Sequence, residues 1–296
     1  MFDLDAPGVP ALLADYIKQD IDAYCLAKYH DGHRAHLGAS VLGHECPRYL
    51  WYTFRWVRDH KHTPRMYRLF NRGHREELRF AEWLHGAGFK LISDEMPEGT
   101  QVRVSDTTGH IGGSLDNLAQ LPDRYQIKQS ILLCEFKTNA TGAGFMKVRE
   151  KGMRVGKPQH FDQASYYGWK RGLEWCIYCI INKNDDDLEI QVVKLDFARA
   201  AEIEQRGTAI ILSQEPPPKI SRTPAYITCK LCDHHPTCWQ EKPVEINCRS
   251  CKHARPAQDA RWLCERYGLI PQAYKDADGR IIDAIKIGCA NHEPIV

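Results

Sequence analysis

Apolar positions recur at helical spacing over residues 10 to 30 and again over 66 to 88, where Leu69, Phe70, Leu78, Phe80, Ala81 and Leu84 mark the second helix. The stretch Pro47 to Val57 is dense in aromatic residues, with Tyr49, Trp51, Tyr52, Phe54 and Trp56. Its leading proline suits a first helical turn, where the missing N–H costs little, so a helix is predicted there as well. From about Phe89 to Lys137 the pattern turns strand-like, punctuated by Gly109, Gly112, Gly113 and Asp123. Gln159 to Arg171 then predicts a helix, Glu174 to Asn182 a buried strand, Leu188 to Leu195 a further strand and Phe197 to Leu212 a helix. Pro216, Pro217 and Pro218 break the chain, and the Cys-rich tail beyond them has too little apolar material to fold on packing alone.

This order predicts an α/β or α+β protein and not a helical bundle. Its expected division is a main domain over residues 1–240 and a Cys-rich tail over 241–296. With 296 residues, 43% of them hydrophobic, the chain can bury one good-sized core plus an appendage. A formal net charge of +2 excludes nucleic-acid binding through bulk charge, so any phosphate-binding surface must be local. No apolar run is long enough to cross a bilayer, and Met1 to Gln19 lacks an export pattern. A soluble, cytoplasmic protein with no membrane partner is the expectation. In a reducing compartment, twelve cysteines, seven of them after residue 228, point to metal ligation and not to disulfides.

The chemistry gathers at Gly113-Ser114-Leu115-Asp116 and, nineteen residues after that aspartate, Glu135-Phe136-Lys137. Residues two apart on a strand share a face, so Glu135 and Lys137 project together while Phe136 packs behind. Two charges at the end of an apolar strand are costly unless they are paired or used. If Asp116 lies on the neighbouring strand, two carboxylates can share a divalent cation that polarises a phosphodiester, and Lys137 can orient the attacking water. Alone, Glu-x-Lys is most often an ordinary ion pair. Here it is preceded by Gly73-x-x-x-Glu77 and followed by Gln163-x-x-x-Tyr167, whose two side chains share a helical face. A basic segment, Lys147, Arg149, Lys151, Arg154 and Lys157 with glycines interspersed, reads as a flexible loop beside this strand, placed to contact the phosphates of DNA, the alternative being a solvated surface loop.

These four motifs in this order resemble the PD-(D/E)XK nucleases, above all the RecB-like and viral exonucleases, over roughly residues 40 to 240. The resemblance implies a mixed central sheet flanked by helices, with Asp116, Glu135, Lys137, Gln163 and Tyr167 catalytic. It implies magnesium or manganese held by Asp116, Glu135, the Phe136 carbonyl and Glu77, with His74 an alternative to Glu77. Leu115 stands where the family's proline is expected. His160, three residues before Gln163, either joins that helix face or is solvated. The implied activity is a DNA exonuclease of recombination, repair or viral DNA processing. Alternatives are a structure-specific endonuclease and a non-catalytic DNA-binding scaffold. A single-strand annealing protein or a helicase is a further expected partner.

The cysteines sort into three groups. Cys229-x-x-Cys232-x5-Cys238, with Cys46 far upstream, resembles the iron–sulfur members of the same family, which implies a 4Fe–4S cluster. Zinc at the same thiolates is the alternative. In the tail, Cys248-x-x-Cys251 with Cys264 and Cys289 reads as a zinc site, His253 and His292 being possible substitutes. Trp262, Tyr267, Leu269 and Ile270 are available to pack around it. Cys176 and Cys179 lie three apart on a strand, face opposite sides and read as core, as do Cys25 and Cys134.

Overall fold

The structure is a computed structural model that describes residues 4–96, 101–139, 141–271, 273–275 and 281–296. The chain opens with helix α1, Val9–Tyr29. Next come the short β1, Leu37–Gly38, and α2, Ala39–Leu42. Helix α3, Pro47–Phe54, follows with Pro47 in its first turn, as the sequence predicts. Helix α4, Pro64–Gly86, starts where Thr63 accepts the Met66 N–H. Its buried face is Tyr67, Glu76, Phe80 and Leu84, while Leu78, expected in the stripe, is 73% exposed.

Short strands then build two sheets: β2, Lys90–Leu91; β3, Arg103–Ser105; β4, Ile111–Ser114; β5, Asn117–Gln120; and the long β6, Ile131–Asn139. Helices α5, Gly142–Gly156, and α6, Pro158–Arg171, carry the chain across to β7, Trp175–Asn182, which lies parallel to β6. Strand β8, Leu188–Lys194, returns antiparallel, and α7, Phe197–Leu212, follows. A five-stranded mixed sheet of order β2-β5-β6-β7-β8 forms the centre, and β1, β4 and β3 make a smaller one.

Side chains alternate across the central sheet. Leu118, Leu133, Cys176 and Tyr178 face a large cluster with α3, α5 and α6, whereas Leu132, Cys134, Phe136 and Cys179 pack on Phe80 and Leu84 of α4. Cys176 and Cys179 are therefore core residues on opposite faces, and Cys25 and Cys134 are buried as well.

The last part holds two short helices, α8, Ile227–Lys230, and α9, His235–Gln240. After them come β9, Ala254–Pro256; β10, Trp262–Cys264; β11, Gly268–Ile270; β12, Tyr274–Lys275; and β13, Ile281–Ile282. Packing does more here than its composition suggests. Val244, Ala254 and Trp262 belong to the main cluster, and the Trp262 ring packs tilted against Phe54 at 5.1 Å. The buried Arg249 donates to the carbonyls of Phe54 (3.3 Å) and Ala35 (2.7 Å) with its guanidinium 3.9 Å above Trp56. Tyr267 and Leu269 are exposed. Trp262 thus fastens the tail to the core. No helix among the described residues is long and apolar enough to cross a membrane.

Candidate active site

Asp116 occupies the bend between β4 and β5, one residue before the pair Asn117↔Cys134. That register sets its side chain against β6, where its Oδ2 accepts the Phe136 N–H at 2.7 Å. Glu135 and Lys137 share the opposite face from Phe136, whose ring stacks on Phe80 at 5.1 Å. The Lys137 ammonium lies 3.4 Å from Asp116 Oδ2 and 3.1 Å from the Phe136 carbonyl, and it pairs with Glu135 Oε1. The Glu135 side chain is fully buried, and among the described residues no hydrogen bond reaches its Oε2.

Glu77 of α4 completes the charge. It lines a cleft with Asp116, Gln163 and Tyr167, and a smaller recess with Lys137. Three carboxyl groups therefore gather around one ammonium. Burial raises the pKa values of Asp116 and Glu135, the latter to about 8, with Lys137 opposing both shifts. Burial pulls Lys137 down, but Asp116, Glu135 and Glu77 outweigh it and hold the ammonium above its ordinary value. His74 lies 3.4 Å from Glu77, whose hydrogen bond raises the imidazole; Glu77, not His74, is the group that acts on Asp116 and Glu135.

Gln163 and Tyr167 are both buried on α6, with the Gln163 amide 3.5 Å from the Tyr167 hydroxyl. A side chain at Gly113 would strike that hydroxyl, which explains the glycine: β4 passes directly over the tyrosine. Burial, then Glu135 and Asp116, push the phenol well above its usual range, so it stays a donor. His160, one turn before Gln163 on α6, is not solvated. It is half-buried beside Lys137, with its Nδ1 2.8 Å from the Tyr178 hydroxyl, and burial lowers it to about 3.

The basic segment departs from expectation in form. Lys147 to Arg154 is helical and not loop, and Lys157 sits just past the end of α5: Thr141 caps α5 by accepting from Gly144, and Gly152, at φ 74°, is a non-helical kink between two helical stretches. Gln191 fills the kink, accepting from Met153 N at 2.8 Å and donating to the Val148 carbonyl at 3.0 Å. Arg149 is committed to Asp187 (2.6 and 2.8 Å) and Glu189 (3.2 Å), and Arg154 to Asp196 (2.9 Å). Among the described residues, Lys147, Lys151 and Lys157 meet no carboxylate within 4 Å.

Among the described residues no group of three or more His, Cys, Asp and Glu is set at metal-binding geometry. Both cysteine sets nevertheless converge. Cys46, at the start of α3, lines one small cavity with Cys229, Cys232 and Cys238. Burial, with Cys46 and Cys238 nearby, pushes the Cys232 thiol up to about 11. Burial likewise raises Cys248 to about 11, with Cys289, Cys251 and Cys264 all contributing. His253 and His292 are otherwise engaged, His253 with Glu293 at 2.9 Å and His292 with Ser250 at 3.0 Å.

Sequence reasoning missed Arg34, His36 and Arg103, which line the same cleft as Asp116. A signal was present: eight of the fourteen histidines fall between residues 30 and 85.

No family model matches the chain, and no curated protein matches it significantly. Among solved structures it is similar to the crystal structure of SSO0001, at 17% identity and a TM-score of 0.43, over 74% of this chain and 94% of that one. An alkaline exonuclease, LHK-Exo, from Laribacter hongkongensis is similar at 17% identity and 0.40, over 65% of this chain and 90% of that one. A phage-related exonuclease from Haemophilus somnus follows at 13% and 0.31, over 47% and 68%. These likenesses are distant.

Proposed function

We propose that the protein is a metal-dependent DNA nuclease, an exonuclease acting on ends, with its centre at Asp116, Glu135 and Lys137. The observation that carries this reading is Glu135, a fully buried carboxylate whose Oε2 has no partner among the described residues, set beside Asp116 and Glu77. Such a group is costly in a purely structural role. The donor set is all oxygen, with three carboxyl groups to one ammonium, which fits a hard divalent cation such as magnesium or manganese.

Asp116, Glu135 and the Phe136 carbonyl hold the cation, with Glu77 as the outer carboxylate. When bound, it polarises the scissile phosphodiester and makes the attacking water more acidic. Lys137 orients that water and offsets charge developing on the phosphoryl oxygens. Gln163 and the protonated Tyr167 brace the lysine and the substrate phosphate. The setting is recombination, repair or viral DNA processing, beside an annealing protein or helicase.

Cys46, Cys229, Cys232 and Cys238 hold a 4Fe–4S cluster, or zinc, that ties α3 to the segment after α7; their shared cavity supports this. Cys248, Cys251, Cys264 and Cys289 hold zinc in the tail.

The test is digestion of end-labelled linear and covalently closed DNA by protein purified without oxygen, with Glu135→Ala as control. Manganese- or magnesium-dependent loss of linear DNA alone, absent in the variant, is expected. Nicked circles would indicate an endonuclease. No cleavage by protein with its cysteine-bound metal intact would overturn the reading in favour of a binding scaffold.

A further inference from the structure

A second cleft, of about 720 Å³, opens from the catalytic one. Arg34, His36, His74 and Glu77 line both, so the two are continuous past the carboxylates. Its far arm runs between the end of α1, the start of α4 and residues 56–62, and none of the chemistry described so far uses it. Ligand pockets for drug-sized molecules span roughly 300–1,000 Å³, so this arm has room for a short run of nucleotides.

The lining has two kinds of group. One is a set of rings presented to the cleft: Phe70, 43% exposed, meets His62 edge-on at 5.0 Å, His62 meets His60 at 4.6 Å, and Tyr29 is half-buried nearby. The other is cationic. Among the described residues Lys28, Arg34, Arg58 and Lys183 meet no carboxylate within 4 Å, and the buried Nε of Arg58 has no hydrogen-bond partner. Two of the cleft's carboxylates already have partners, Asp59 with His30 at 2.8 Å and Asp233 with His60 at 3.5 Å. Unpaired cations beside accessible rings are what a single strand needs, phosphates meeting the former and base faces the latter. Paired bases are stacked on one another and offer a protein their edges, so a duplex cannot use these rings.

We infer that this cleft seats an unpaired DNA strand and delivers it to the catalytic carboxylates, making DNA with a single-stranded end the preferred substrate. The inference rests on the nuclease reading above. It assigns Phe70, His62 and Tyr29 to base stacking and Lys28, Arg34 and Arg58 to phosphates.

The test uses full-length Glu135→Ala protein, which does not cleave, and fluorescence anisotropy with two labelled DNAs, a blunt duplex and the same duplex with an oligothymidine tail. The tailed DNA is expected to bind about tenfold or more tightly, the worth of one stacked base. Adding Phe70→Ala removes that advantage and leaves blunt-duplex affinity unchanged; Arg171→Ala, on the distant end of α6, changes neither. Should Phe70→Ala lower the melting temperature, the exposed Lys28→Ala carries the same comparison through a shallower salt dependence for the tail. Equal affinity for both DNAs, or a tail bound as tightly after Phe70→Ala and Lys28→Ala, overturns the inference. Manganese-dependent cleavage by the parent protein would then leave the nuclease reading standing. Tail preference in a parent protein that cleaves nothing would support the cleft and overturn the nuclease.

Discussion

Strand β6 and helix α5 are neighbours in the chain, both carry charge, and both looked functional in the sequence. Their charges are spent differently. On α5, Arg149 and Arg154 are committed to Asp187, Glu189 and Asp196, which tie the helix to β8 and to the start of α7. On β6, Glu135 and Lys137 are paired with each other, yet the carboxyl groups outnumber the ammonium and, among the described residues, Glu135 keeps a buried oxygen without a partner. A charge whose partners lie within the chain holds the fold together. A buried charge left over marks where something else binds.

Substitutions can break that contrast. The largest effect belongs to Glu135→Ala, which should lower cleavage on the order of 10³-fold or more while leaving the melting temperature unchanged or higher, since it removes a costly buried group. A clear fall in melting temperature would instead place Glu135 among the structural pairs. Next, Lys137→Ala should lower kcat about 10²- to 10³-fold with little change in DNA affinity, read by single-turnover kinetics and anisotropy. Gly113→Ala displaces the Tyr167 hydroxyl, and a misplacement of that size costs about 10²-fold in rate. Arg149→Ala should do the reverse of Glu135→Ala, lowering thermal stability with near-parental DNA affinity; a large loss of affinity would restore the basic segment to the DNA interface.

The smallest effect concerns pH. His160 has a folded-state value of about 3, below the ordinary 6.5, because burial disfavours its charged form. The sign follows: this contribution is intact above 6.5 and drains away as pH falls towards 3, because the unfolded chain takes up the proton first. Denaturation midpoints should therefore fall as the solution is acidified below 6.5, and His160→Gln should flatten part of that slope. An unchanged slope in the variant would show that the imidazole is not held neutral.

Much of this was legible in the sequence because it depends on local periodicity. The alternation of β6 separated Glu135 from Phe136, the turn spacing on α6 joined Gln163 to Tyr167, and the three-residue gap put Cys176 and Cys179 on opposite faces. What was illegible depends on distant partners. Nothing near Arg149 reveals Asp187, and the glycines of α5 suggested a loop when Gly152 makes a kink and Gly156 lets Val148 approach. Nothing near Trp262 reveals that it packs on Phe54 and Arg55, some two hundred residues upstream. Arg34 and Arg103 escaped notice because their meeting beside Asp116 is set by the pairing of β4 with β1 and β3.

The central claim is that the carboxylates around Lys137 form a divalent-cation site at which DNA is cut. Manganese titration followed by electron paramagnetic resonance of the free ion, on the parent and on Glu135→Gln with cleavage of end-labelled DNA in the same samples, tests it directly. The account predicts that the parent takes up manganese and cleaves, and that the variant loses both together. Uptake unchanged in the variant, or cleavage that survives it, would contradict the account.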